Sequence, residues 1–147
     1  MTKQFRFSLQ KVLDYRFQME DQARGELALA LARKEEQQRE VEKLEAAMRL
    51  HQDTYGQCCT RTQPELWLWS RYRDRLESER EEALKRLGVL TEQVESCRHK
   101  AIQCSRERKL LERLRSKKFL EHAGREQKQE QQNFDEMATI RHGHNNF

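Results

Sequence analysis

Tyr55-Gly56-Gln57-Cys58-Cys59-Thr60-Arg61-Thr62-Gln63-Pro64-Glu65 interrupts what is otherwise a nearly continuous helix-forming sequence. The stretch holds the only proline of the chain, Pro64, with Gly56 shortly before it. Leu66-Trp67-Leu68-Trp69 follows at once and carries both tryptophans. Proline is tolerated in the first turn of a helix, and Thr60 or Thr62 can cap one. The reading that follows is all-α: two long helices folded into an antiparallel coiled-coil hairpin. Helix one is expected over about 3–55, the turn over about 56–63, and helix two over about 64–140.

Working outward from the turn, apolar residues recur at coiled-coil spacing. On helix one the expected seam is Phe5, Leu9, Val12, Arg16, Met19 and Ala23, then Leu27, Ala30, Lys34, Gln37, Val41, Leu44, Met48, His51 and Tyr55. The steps alternate three and four, except for a second four-residue step at Ala23–Leu27, which reads as a slip in register. On helix two the seam is Trp69, Tyr72, Leu76, Glu79, Ala83, Leu87, Leu90, Val94, Cys97, Ala101 and Cys104. After an interruption it resumes at Leu111 and Leu114. A turn centred near residue 60 would set Tyr55 opposite residue 66 and Phe5 opposite residue 116. Helix two is the longer, so from about residue 120 it should overhang without an intramolecular partner. That overhang carries Phe134, Met137 and Ile140, and the last seven residues should fray.

Composition points the same way. Charged residues make up 37% of the 147, apolar ones 35%, and mean hydropathy is −1.13. That is too little apolar surface for a compact globular core, but Ala, Leu, Glu, Gln, Lys and Arg dominate and favour helix over disorder. No stretch approaches membrane-spanning length and no opening apolar run resembles a signal peptide, so a cytoplasmic protein is expected. The four cysteines lack zinc-type spacing and should be reduced thiols: Cys58 and Cys59 in the turn, Cys97 and Cys104 on the seam.

Catalysis is not expected. The sequence has no phosphate-binding glycine loop, nucleophile elbow or metal signature, and a two-helix hairpin has no water-excluding pocket in which to shift a pKa. His142-Gly143-His144 reads as a fraying tail, and His51, His99 and His122 stand apart along the helices. Neither a cofactor nor a resident metal is expected.

Two features are left for binding. One is aromatic and apolar, around the turn: Leu44, Met48, His51, Tyr55, Trp67, Tyr72 and Leu76. Trp67 and Trp69 project about 200° apart on a helix, so both cannot face one partner helix. The other is basic: residues 98–118 carry nine Lys and Arg against Glu107 and Glu112, although the net charge of the whole chain is only +4. Its candidates are Arg106, Arg108, Lys109, Arg113, Arg115, Lys117 and Lys118, suited to an acidic surface. Nucleic acid is a poor fit, because no dimerising zipper adjoins the segment and no base-reading pattern accompanies it.

The opening Phe5-Arg-Phe-Ser-Leu9-Gln-Lys-Val-Leu13-Asp-Tyr-Arg16, with Glu20 and Ala23, resembles the start of the FliJ family of flagellar export proteins. Glu107-Arg-Lys-Leu-Leu-Glu-Arg-Leu114 and the later Phe134-Asp-Glu-Met-Ala138 resemble its far end. The resemblance implies a hairpin similar to the central stalk of rotary ATPases. It implies a non-enzymatic rod whose terminal end enters the hexameric flagellar export ATPase, with Arg106–Lys118 and the overhang as the contact. It further implies that the turn end, around Leu44, Met48, His51, Tyr55, Tyr72 and Leu76, meets the export-gate protein FlhA, and that the chain cycles export chaperones. Membrane association would then be peripheral, through partners, and the isolated chain a monomer. The equivalent stalk of a virulence secretion system and a generic coiled-coil adaptor remain as alternatives.

Overall fold

The computed structural model describes residues 3–57 and 61–144. Two helices, α1 (Gln10–Gln57, 48 residues) and α2 (Gln63–His144, 82 residues), pack against each other as an all-α hairpin. No described residue belongs to a strand, and no helix is long and apolar enough to cross a membrane.

The start of α2 carries the glutamate half of a capping box. Thr62 occupies the N-cap, its carbonyl accepting the first helical bond from the Leu66 N–H at 3.1 Å. Glu65 Oε2 reaches back to accept the Thr62 N–H at 3.1 Å, satisfying a donor the helix itself leaves free. Pro64 lies between them in the first turn, where its missing N–H does no harm. Across the turn, the Arg61 guanidinium donates to the Thr54 carbonyl at 2.9 Å, serving the open end of α1. The alternative cap, Thr60, and the vicinal Cys58 and Cys59 lie outside the described residues.

The other ends differ from expectation. Helix α1 begins at Gln10, not within the first few residues; residues 3–7 are non-helical and Ser8–Leu9 form a turn. The reason is a packing gain. The non-helical segment lets the Phe5 ring meet Phe119 edge-on at 5.4 Å and His122 at 5.6 Å. The overhang therefore starts later than residue 120: Glu126 is still partly covered, and only residues 127–144 are exposed throughout. That stretch stays helical to His144, so the described part of the expected fraying tail is ordered as helix.

Packing sorts the chain into two units. The unit Asp21–Ile102 holds the turn. Its core is Ala23, Ala30, Val41, Leu76, Ala83 and Val94, all on the expected seams. The polar interruption at Gln37 is absorbed by a hydrogen bond from its side-chain amide to the Ala83 carbonyl at 3.1 Å. Ion pairs Arg80–Glu45 (3.2 Å) and Lys100–Glu26 (3.0 Å) flank the seam between the helices.

The second unit comprises residues 3–20 and 103–144 of the described chain. Here the expected seam has the wrong phase. Leu13 is 2% exposed, whereas Val12 and Leu9 face solvent. Glu20, also 2% exposed, takes the inward place assigned to Met19. Read through Leu13, Arg16, Glu20, Ala23 and Leu27, the steps alternate three and four without a break. The register slip at Ala23–Leu27 is thus an artefact of skipping a charged residue. Register also runs later on α2 than a turn centred at residue 60 would give: Tyr55 meets Trp69 and Phe5 meets Phe119.

Candidate functional site

The interruption on α2 between Cys104 and Leu111 is where Arg108 turns into the hairpin. Its side chain is 15% exposed, and the guanidinium donates through Nε to Glu20 and through Nη1 to Glu112 at 2.6 Å. The Phe17 ring lies 5.3 Å away and covers it from one side. Beside this cluster, Arg16 pairs with Glu107 at 2.5 Å in a half-exposed bridge. The hydrogen bond to Glu20 holds the Arg108 guanidinium above its ordinary pKa, against the opposing effect of burial, with Glu112 adding to the rise. A raised basic pKa means the charge, and the stability it brings, is complete throughout neutral and moderately alkaline solution and is lost only as pH rises through that high value.

Arg108 is therefore removed from the surface set. This corrects its place among the ATPase-contact candidates, because a largely covered charge held by two carboxylates is already committed. Arg106, Lys109, Arg113, Arg115, Lys117 and Lys118 are exposed. Spacings of three, four and four put Arg106, Lys109, Arg113 and Lys117 on one outward row of α2. Leu110 and Leu120, both exposed, lie along the same row. Arg115 follows Arg108 by one heptad and so belongs to the seam side. Lys118 lies on another flank, 3.6 Å from Glu121. Six exposed cations thus resolve into one row of four and two outliers.

At the turn, the structure gathers some expected residues and separates others. The His51 ring stacks on Trp69 at 4.2 Å and meets Tyr72 at 4.9 Å, while its Nε2 lies 3.1 Å from the Trp69 carbonyl. Tyr55 lies 6.0 Å from Trp69. Met48, His51, Tyr55, Leu66 and Trp69 line a groove of about 540 Å³. Leu44 is half-buried nearby in sequence on the same seam. Leu76 only floors the groove: at 5% exposure it belongs to the core, which corrects its assignment as a surface contact. Trp67 is 60% exposed and pairs instead with Arg71 at 5.2 Å, on a different face from Trp69.

Sequence reasoning missed two residues here, Arg61 and Glu20, and gave a third, Arg108, a different role. Arg61 lies 3.8 Å over the Trp69 ring and 4.9 Å from that of Tyr55, tying the turn to the aromatic cluster. The available signal was a cation set between a helix end and a run of aromatics. Glu20 was not singled out as an inward charge, and Arg108 was assigned to the basic surface; taken together, as opposite charges at inward positions of facing helices, they could have been found. His51 and His122 also have partners rather than standing apart, the latter reaching Glu126 at 3.8 Å. Among the described residues no group of three His, Cys, Asp or Glu side chains is gathered as a metal would require. What the arrangement offers is two surfaces for docking: a basic row and an aromatic groove.

Comparison with curated proteins and with solved structures returned no match. The family model described as flagellar FliJ protein matches residues 5–147, which takes in both helices, the turn between them and the basic row. That span is nearly the whole chain, and the two-helix hairpin agrees with it: the chain belongs to the FliJ family, components of the flagellar export apparatus.

Proposed function

We infer that this chain is a non-enzymatic coupling component that links the hexameric flagellar export ATPase to the export gate FlhA. In this reading the basic row Arg106, Lys109, Arg113 and Lys117 docks on acidic surface of the ATPase. The turn end, with Tyr55, Trp67, Tyr72 and the groove beside Trp69, docks on FlhA and meets export chaperones. The chain works in the cytoplasm and reaches the membrane only through these partners. The observation that carries the reading is the row itself: four cations aligned outward, interleaved with exposed leucines, while the inward Arg108 is neutralised internally. Aligned like charges on an exposed face repel one another and are stabilised by an acidic partner.

The test is a pair of variants measured against both partners. Reversing the row (R106E/K109E/R113E/K117E) should weaken binding to the purified export ATPase by about tenfold or more, equivalent to about 1.4 kcal/mol. The same variant should still bind the cytosolic part of FlhA. Trp67→Ala with Tyr72→Ala should show the reverse pattern. Unchanged ATPase binding and unchanged stimulation of ATP hydrolysis by the row variant would overturn the assignment.

A further inference from the structure

We propose that the Glu20–Arg108 pair is a register lock for the hairpin, a positioning device that decides which level of α1 each turn of α2 lies against rather than a source of net stability. The motive is the composition of the seam. Much of it is small and interchangeable: Ala23 and Ala30 on α1, Ala83, Cys97, Ala101 and Cys104 on α2. Side chains this similar pack against one another in more than one register, because a slip of one heptad restores the same spacing. Leucines and valines between them favour burial without choosing among registers.

The buried pair does choose. In the observed register Glu20 receives the Arg108 guanidinium, and both lie inside the hairpin. A slip of one heptad in one direction would set Glu20 near Arg115 but leave Arg108 against Leu27. A slip in the other direction would set Glu20 near Ala101 and Arg108 near Leu13. Either way the largely covered guanidinium loses its cross-helix carboxylate and faces an apolar side chain, which costs desolvation that Glu112 alone offsets only in part. Glu112, four residues along the same helix, moves with Arg108 and so supports the charge in every register without selecting one. The half-exposed Arg16–Glu107 bridge is screened by water and discriminates weakly. With Arg108 set against Glu20, the outward row Arg106, Lys109, Arg113 and Lys117 is held at one level along α1, whatever surface it docks on.

Paired distance measurements test this. In a background with all four cysteines replaced, nitroxide labels are attached at Gln18→Cys and Gln127→Cys, both exposed positions. The parent should give one narrow distance distribution. The double variant E20L/R108L should remain helical and melt at or above the parent temperature, since an apolar pair of similar volume commonly replaces a buried ion pair without loss. Its distribution should broaden or split, with a population displaced by about 10 Å, the rise of one heptad of helix. The control R16L/E107L, which removes as many charges from the exposed bridge, should keep the single narrow distribution. A single parental distance in E20L/R108L would overturn the lock. So would failure of that variant to fold, because it would make the pair a stability element.

Discussion

A carboxylate can sit at the seam of a two-helix hairpin only if a cation comes in with it. Glu20 and Arg108 meet that condition, and Leu13, one heptad before Glu20, owes its 2% exposure to the helix phase they share. The sequence pattern suggested another phase, through Val12 and Met19, because at these positions the apolar neighbour was preferred to the charged Glu20. The physical error is specific: long charged side chains on facing helices can satisfy one another inside, and a heptad then runs through them unbroken. Leu13 and Val12 provide a direct check. Leu13→Ala should destabilise the chain by about 2–4 kcal/mol, the usual cost of truncating a buried leucine, while Val12→Ala should cost well under about 1 kcal/mol. Denaturant melts of the two variants, followed by circular dichroism, decide between the phases. Equal losses would restore the original seam.

At the scale of elements, the turn was legible because its chemistry is local. Pro64, Thr62 and Glu65 specify a helix start through backbone geometry and one hydrogen bond from the Thr62 N–H back to the Glu65 carboxylate, and these need no knowledge of the rest of the chain. The unit Asp21–Ile102 was legible for a similar reason, its core falling on the apolar heptads. The start of α1 was not, because residues 3–9 leave the helix for the sake of a contact with Phe119 far away in sequence. Within α2, Gly88 is a weak point: it sits in the helix interior on the exposed side, its φ is ordinary, and an added Cβ would meet nothing within 4 Å. Gly88→Ala should therefore raise stability by about 1 kcal/mol through reduced freedom of the unfolded chain. The measurement is the urea midpoint, with the slope unchanged. A fall in the midpoint would mean that this part of α2 is not regular helix in solution.

For the molecule as a whole, side-chain coverage ends well before the helix does. Residues 127–144 continue α2 for several turns with every side chain exposed, including Phe134, Met137 and Ile140. An isolated helix of this length is marginal in water, so its order rests on being templated by the helix before it, not on packing. It follows that this segment adds little to the stability of the rest. A chain ending at Glu126 should keep the melting midpoint of the full chain within about 0.5 kcal/mol, the scale of surface changes that remove no packing. By contrast, a chain ending at Lys118 loses Phe119 and His122, the partners of Phe5, and should melt measurably earlier with residues 3–9 released. The ordering of the two truncations is what matters. If removal of 127–147 lowers the midpoint as much as removal of 119–147, the exposed apolar residues are covered in solution and the end of coverage at Glu126 is wrong. If only the longer deletion lowers it, the unpacked helix is spare surface, available for a partner at no cost to the hairpin that carries it.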